Sequence, residues 1–254
     1  MKLDDRKERV LDFIIRDYIE TAQPVSSGRV ASKKVLDSSP ATLRNIMLEL
    51  DEGGYLHQPH TSAGRAPTEK GYRYFIDNLI SDYTLPRSRA LQGHAYSPAG
   101  ELLCSRRRAA QGLAKPAPSA NEFGLLVNEF AHDLGIFTSA MIMGQRGMQE
   151  LSGFRDVLSE PEFRENGMLE NFGRMVDEID SVMSEYRNAL IEDDDIYDIW
   201  IGRENIYPGA RKGSALVARI SLPDKEELVF FAYGPTRMNY EKAIFKIKNL
   251  IKEI

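Results

Sequence analysis

A group of polar side chains near the start of one predicted helix has the chemistry needed to read a nucleic acid. Thr42, Arg44 and Asn45 supply a hydroxyl, a guanidinium and an amide close together in the chain. These are the donor and acceptor groups that pair with base edges in a major groove. Ala41 and Leu48 fall on the same outward side and offer apolar contact to thymine methyl groups. We therefore expect Arg44 and Asn45 to contact bases.

The helix that carries these residues has a start and a stop in the sequence. Ser39 is expected to cap it, with Pro40 at the first helical position, where the missing N–H costs nothing. Ser39 and the helix N-terminus also suit a phosphate group. Gly53 and Gly54 tolerate the left-handed turn that closes a helix. Its buried side is predicted from apolar residues at helical spacing, Leu43, Ile46, Met47 and Leu50.

A loop rich in basic and hydroxyl side chains follows. The segment after Gly54 predicts a short strand, a loop, a second strand and a helix that starts near Thr68. The candidate contact residues of this loop are His60, Thr61, Ser62 and Arg65. Such a loop lies over the DNA backbone or minor groove in a winged helix, where phosphates attract arginine. Arg73 in the following helix is a further candidate for phosphate contact.

Two helices are predicted before the one that carries Arg44. The first covers residues 4–20, capped by Asp4 or Asp5, and the second runs from Ser26 or Ser27 to about Lys34. Short helices joined by a few residues favour helix-turn-helix packing. Residues 1–85 are therefore predicted to form a winged helix-turn-helix domain that binds DNA.

Charge is divided unevenly along the chain. Residues 1–85 hold 12 Lys and Arg against 13 Asp and Glu, residues 86–119 hold 6 against 1, and residues 120–254 hold 15 against 24. The total of −5 argues against binding nucleic acid through bulk positive charge. Any DNA contact must use positioned residues. The basic segment 86–119, rich in Ser, Ala, Gly, Pro and Arg, is predicted to be a flexible linker.

Composition and missing motifs limit the classes of protein that the sequence could represent. Cys104 is the only cysteine, so an intrachain disulfide is excluded and a reducing compartment is expected. The sequence has no apolar run long enough to span a membrane, and we expect a cytoplasmic protein. It also has no G-x-S-x-G motif, P-loop or dinucleotide fingerprint. The missing motifs leave an enzyme or a bound cofactor without support. No metal site is expected either, because His57 and His60 lack further ligands nearby.

Residues 120–254 are predicted to form an α+β domain. Helices are expected at 122–134 and from about 239, and strands at 136–143, 196–201, 215–220 and 228–233, which favours an antiparallel sheet. A long heptad-patterned helix is predicted over residues 169–190, fit to pack against a sheet or a partner helix. Its apolar seam consists of Leu169, Phe172, Val176, Ile179, Met183, Tyr186 and Leu190.

The sequence resembles the HrcA family of bacterial heat-inducible transcription repressors. In the first domain the matching motifs are residues 23–27, 39–45, 54–56, 60–68 and 70–73. Later motifs are residues 161–163, 201–205 and 234–240. Several motifs in order are more specific than any one of them. The chain is shorter than members of this family usually are, in the middle and in the second domain.

The resemblance implies a function as well as a fold. It implies that residues 120–254 are a GAF-like dimerisation and regulatory domain. It implies a homodimer that binds an inverted-repeat operator in double-stranded DNA and represses chaperone genes. It also implies that a chaperonin keeps the repressor active and that heat stress relieves repression.

Other functions remain open from the sequence. A winged-helix regulator could use the GAF-like domain as a sensor of a small molecule, and a ligand-dependent shift in melting temperature would support that alternative. An enzyme with an appended winged helix and a winged helix used only for protein contacts are further alternatives. Turnover by the isolated residues 120–254 would favour the enzyme, and no preference for an inverted repeat over random duplex would refute a repressor.

Overall fold

The computed structural model describes residues 3–60, 63–82, 119–144, 147–164, 167–222 and 226–253. The chain divides into two compact units, Met1–Leu85 and Pro86–Ile254. The predicted linker, residues 86–119, lies outside the described residues except for Ser119. In the described part of the chain, no helix is both long enough and apolar enough to cross a membrane.

The first unit contains four helices and a two-stranded antiparallel sheet. Its elements are α1 (Asp5–Thr21), α2 (Ser27–Ser32), α3 (Pro40–Glu52), β1 (Leu56–His57), β2 (Ala66–Pro67) and α4 (Glu69–Asp82). The core lies where α1 packs against α3 and α4, and α2 packs against α3. The predicted apolar stripe of α3 faces this core, and all of its members are buried: Leu43, Ile46, Met47 and Leu50.

Side-chain caps fix the starts of the first three helices. Asp4 accepts a hydrogen bond from the backbone N–H of Lys7, which lowers the pKa of Asp4. Ser26 caps α2, and Ser39 caps α3 by accepting from the N–H of Thr42 at 3.2 Å. Pro40 takes the first helical position. Because each cap satisfies an N–H that the helix leaves free, short polar residues mark these starts in the sequence.

The second unit is built on a five-stranded antiparallel sheet with the order β4-β3-β7-β6-β5. Its strands are β3 (Phe137–Met143), β4 (Gln149–Ser152), β5 (Tyr197–Ile201), β6 (Gly213–Ser221) and β7 (Glu227–Pro235). The α-helices around it are α5 (Ala120–Leu134), α6 (Phe154–Ser159), α7 (Met168–Asp177), α8 (Ile179–Glu192) and α9 (Tyr240–Glu253). The expected α+β class with antiparallel strands is therefore confirmed.

Helices cover both faces of this sheet. Successive residues of a strand point to opposite faces. Phe230 of β7 contacts Phe130 of α5, with ring centroids 4.4 Å apart. Its neighbour Phe231 contacts Tyr186 of α8 at 5.6 Å on the opposite face. The sheet therefore lies between a layer that contains α5 and a layer that contains α8.

The prediction of one long helix over residues 169–190 is wrong. The segment forms two helices, because Glu178 leaves the helical conformation with φ −105° and ψ 17°. Leu169, expected in the seam, is 54% exposed, and Met168 is buried in its place. Apolar spacing continues at steps of three and four residues across the break, so the periodicity gave no sign of it.

Candidate nucleic-acid interface

The outward side of α3 presents the side chains that the sequence predicted to contact bases. Ala41, Arg44, Asn45 and Leu48 are all exposed. Leu48 is 41% exposed, although it is a large apolar residue. The helix is thus divided between a buried apolar stripe and an exposed face with polar and apolar members.

Arg44 and Asn45 are not used to hold the fold together. Within the described part of the chain, neither side chain makes a hydrogen bond or an ion pair. A guanidinium carries five N–H donors, and an amide carries two donors and an acceptor. Both groups are therefore available, side by side on α3, to a ligand with planar hydrogen-bonding edges.

Thr42 and Ser39 are engaged with each other at the start of α3. Their hydroxyl oxygens are 3.0 Å apart, and Ser39 also accepts from the backbone N–H of Thr42. Thr42 is half-buried, whereas Ser39 is exposed. Ser39 thus serves as the cap, and the hydroxyl of Thr42 has a partner within the helix.

Two arginines of α1, which no sequence pattern indicated, support the segment that leads into α3. Arg6 donates to the hydroxyl of Ser38 at 2.9 Å. Arg9 donates to the carbonyl oxygen of Val35 at 2.8 Å. Both contacts join α1 to the segment between α2 and α3. Because they bridge residues far apart in sequence, no local pattern could have found them.

The hairpin, defined here as β1, β2 and the residues between them, is attached to the rest of the first unit just before β2. Val25 and Arg65 exchange two backbone hydrogen bonds, of 2.9 and 2.8 Å. A Cβ on Gly64 would overlap the carbonyl group of Val25 and lie 2.8 Å from the nitrogen of Ser26. Gly64 therefore permits the hairpin to approach the segment between α1 and α2.

The predicted loop residues fall in different situations. His60 is exposed, whereas Thr61 and Ser62 lie outside the described residues. Arg65 is only 13% exposed, with its Nε 2.7 Å from a carboxylate oxygen of Asp51. Arg73 lies largely covered on α4, with Nη1 3.7 Å from Asp77. Of the predicted loop residues that the structure describes, His60 alone is freely exposed.

A second set of contacts joins the end of α3 to the start of α4. The hydroxyl of Thr68 donates to the carbonyl oxygen of Gly54 at 2.7 Å and accepts from the N–H of Gly71 at 3.1 Å. A Cβ on Gly71 would overlap the carbonyl oxygen of Tyr55. Gly71 is therefore required by this close approach, whereas Gly54 has a φ of 75°, which glycine adopts without strain.

Acidic residues concentrate at the C-terminal end of α3. Glu49 accepts from Lys7 at 2.8 Å, and this hydrogen bond raises the pKa of Lys7. Asp51 pairs with Arg65, and Glu52 is exposed. The N-terminal half of the exposed face therefore carries the positive charge of Arg44, whereas the C-terminal end is acidic.

In the second unit the residues of the later motifs maintain the fold. Asn205 donates to the carbonyl oxygens of Gly202 and Gly213 at 2.9 and 3.1 Å, and accepts from the hydroxyl of Tyr186 at 2.8 Å. Arg237 pairs with Glu160 and with Glu162. Among the described residues, no group of three or more His, Cys, Asp or Glu could hold a metal ion.

Comparison with solved structures identifies the fold. A hypothetical protein, whose crystal structure was determined at 2.2 Å resolution, is similar over 99% of this chain and 97% of its own. The TM-score is 0.71 and the sequence identity 19%, so the likeness concerns the fold alone. The two chains therefore share an α+β fold.

Sequence comparison identifies the family. A family model described as HrcA protein C terminal domain matches residues 110–244, which is more than half of the chain. The chain therefore belongs to the HrcA family. Curated relatives carry the name heat-inducible transcription repressor HrcA, which is not the name of an enzyme.

The similarity to individual relatives is uneven. The repressor of Pelotomaculum thermopropionicum is 58% identical over 87 residues, 34% of this chain and 25% of the relative. That of Thermoanaerobacter sp. is 52% identical over 83 residues, 33% of this chain and 24% of the relative. These alignments thus span about a quarter of each relative. The repressor of Caldanaerobacter subterraneus subsp. tengcongensis is 26% identical in an alignment of 335 residues, which covers 100% of this chain and 96% of the relative.

Proposed function

We propose that this protein is a DNA-binding transcription repressor of heat-shock genes. Membership of the HrcA family and the name of the curated relatives support this function. The observation that carries it is the exposed face of α3, where Arg44 and Asn45 have no partner among the described residues. Residues 1–85 are the DNA-binding domain, with α3 as the recognition helix of a winged helix-turn-helix.

The side chains of α3 that we propose as base contacts each have a matching group on DNA. Arg44 suits the O6 and N7 acceptors of guanine, and Asn45 suits the N6 and N7 pattern of adenine. Ala41 and Leu48 are apolar and exposed, as contact with thymine methyl groups requires. Thr42 has a smaller role in base contact, because its hydroxyl already has a partner in Ser39.

The DNA backbone is held on either side of the recognition helix. The N-terminus of α3 with Ser39 faces one phosphate, and its free N–H groups attract anions. The hairpin faces the backbone with His60, Thr61 and Ser62, and Arg73 adds a further phosphate contact. Arg65 contacts a phosphate only if its ion pair with Asp51 opens. Since the first unit is not basic as a whole, these positioned groups set the affinity.

Two copies act together on an inverted repeat. A symmetric pair of recognition helices reads two half-sites about one helical turn apart or at a multiple of that spacing. The second unit is the GAF-like regulatory domain through which the homodimer forms. A chaperonin keeps this repressor active, and its diversion during heat stress relieves repression.

A mobility shift tests this function. The full chain is titrated against promoter DNA of chaperone genes that contains an inverted repeat, and against the same duplex with both half-sites scrambled. A repressor making about 6–10 phosphate contacts loses on the order of 10³–10⁵ in affinity between 50 and 200 mM salt. Preference for the intact repeat supports the proposal, and equal binding to both duplexes refutes it.

A further inference from the structure

One ion pair connects the end of α3 directly to the hairpin. Nε of Arg65 lies 2.7 Å from a carboxylate oxygen of Asp51, and the two side chains are 13% and 33% exposed. The backbone of Arg65 is meanwhile bonded to Val25 on the segment between α1 and α2. Arg65 is therefore hydrogen-bonded at its main chain to one part of the first unit and paired by charge with another. The contact with Asp51 is an ion pair only, since the buried Nε–H of Arg65 has no aligned acceptor among the described residues.

The position of Asp51 is costly unless its charge is compensated. It lies in the last turn of α3, where the negative end of the helix dipole disfavours a carboxylate. The same turn contains Glu52, which is exposed and makes no ion pair within the described ranges. DNA phosphates would repel Asp51 as well. Pairing with Arg65 compensates the charge of Asp51, whereas Glu52 has no such partner among the described residues.

We infer that Asp51 and Arg65 are a positioning pair, which sets the angle between the recognition helix and the hairpin when both lie on DNA. This inference depends on the proposed function, since it assigns the pair a part in DNA binding. The charge of Arg65 is neutralised by Asp51, so it displaces no counterion from DNA. Its loss then affects the fit to the correct sequence and leaves the number of phosphate contacts unchanged.

Salt dependence separates positioning from phosphate contact. The full chain is titrated at several salt concentrations with the inverted-repeat duplex that it selects from a random pool, and with a random duplex. The variants are Asp51→Asn, Arg65→Gln and the double variant, with Glu52→Gln as a control that removes a carboxylate from the same helix turn. Far-ultraviolet circular dichroism records that each variant is folded.

The two roles predict opposite effects for Asp51→Asn. If the pair positions the hairpin, Asp51→Asn weakens specific binding by roughly 3- to 30-fold although it removes a negative charge near DNA. Arg65→Gln then gives a similar loss with an unchanged salt slope, the double variant is no weaker than either single one, and Glu52→Gln binds at least as tightly as the unchanged chain.

If Arg65 instead contacts phosphate, Asp51→Asn binds as tightly as the unchanged chain or more tightly. Arg65→Gln then lowers the salt slope by about 0.9 and weakens both duplexes alike. That result overturns the inference while leaving the proposed function intact. Failure of the unchanged chain to select any inverted repeat would refute the proposed function itself. Should Asp51→Asn unfold, the charge-exchanged variant Asp51→Arg with Arg65→Asp replaces it, and positioning requires it to bind the repeat more tightly than Arg65→Gln.

Discussion

Nζ of Lys70 donates a hydrogen bond to the carbonyl oxygen of Gly53 at 2.7 Å and lies 4.5 Å from the centre of the Tyr55 ring. The first contact satisfies a carbonyl group just beyond α3, and the second covers the residue that leads into the hairpin. Lys70 itself belongs to α4. One side chain therefore joins the end of the proposed recognition helix to the helix that follows the hairpin.

We expect Lys70→Met to destabilise the first unit by about 1–2 kcal/mol, because a hydrogen bond and a cation–π contact are lost. Lys33→Met is the control, since Lys33 is exposed and makes no ion pair among the described residues; its effect should stay within about 0.5 kcal/mol. Urea unfolding followed by circular dichroism measures both. Trp200, the only tryptophan, lies in β5 and reports on the second unit. Equal losses for the two variants would contradict the role of Lys70.

Gly64→Ala should weaken the attachment of the hairpin to Val25, on the segment between α1 and α2. The added methyl group would overlap the carbonyl of Val25, and we expect a loss of about 1–3 kcal/mol in stability of the first unit. Gly28→Ala in α2 is a matched control, because its Cβ would meet nothing nearer than 3.9 Å. That variant should gain about 0.4–1 kcal/mol. Thermal unfolding measures both changes, and a neutral Gly64→Ala would show that the close approach is unimportant.

Arg44→Ala and Asn45→Ala should weaken DNA binding without affecting stability. Each should cost about 1–3 kcal/mol in binding to the inverted repeat and relax the preference at one base pair. Both residues are exposed, so the melting temperature should not change. Arg174→Ala in the second unit removes the same charge as Arg44→Ala from an exposed position and is the control. Loss of affinity for all sequences alike would indicate that Arg44 contacts phosphate and not a base.

The second unit should unfold in alkali. Burial raises the pKa of Tyr186 and of Tyr233 above the ordinary value of 10.0. Since these tyrosines ionise in the unfolded chain first, the stability that they contribute is complete below about pH 10 and decreases as the pH rises further. Tyrosinate absorbance should therefore increase together with the loss of native Trp200 fluorescence. Gradual ionisation of Tyr186 and Tyr233 in the folded protein would contradict this expectation.

The starts of the first three helices and the buried side of α3 could be predicted from local sequence patterns. The caps Asp4, Ser26 and Ser39, and the buried stripe of α3, follow from the first turn and from helical periodicity. Strand β4 was missed because it is an edge strand whose residues are all partly or fully exposed, so it shows no apolar pattern. The break at Glu178 was missed because apolar spacing persists across it.

The part of the candidate interface that lies on α3 could be predicted from the sequence. The exposure of Arg44 and Asn45 follows from their angle to the apolar stripe of α3. The partner of Arg65 could not be predicted, because Asp51 approaches it only after the chain has turned through the hairpin. The assignments of these residues to bases or phosphates stay predictions.

Selection of DNA from a random pool by the full chain is the most direct test of the account. We predict that the recovered duplexes converge on an inverted repeat, and that Arg44→Ala recovers the same repeat with one position in each half-site no longer fixed. Recovery of unrelated sequences by the unchanged chain, or of an identical consensus by Arg44→Ala, would contradict the claim that the exposed face of α3 reads DNA.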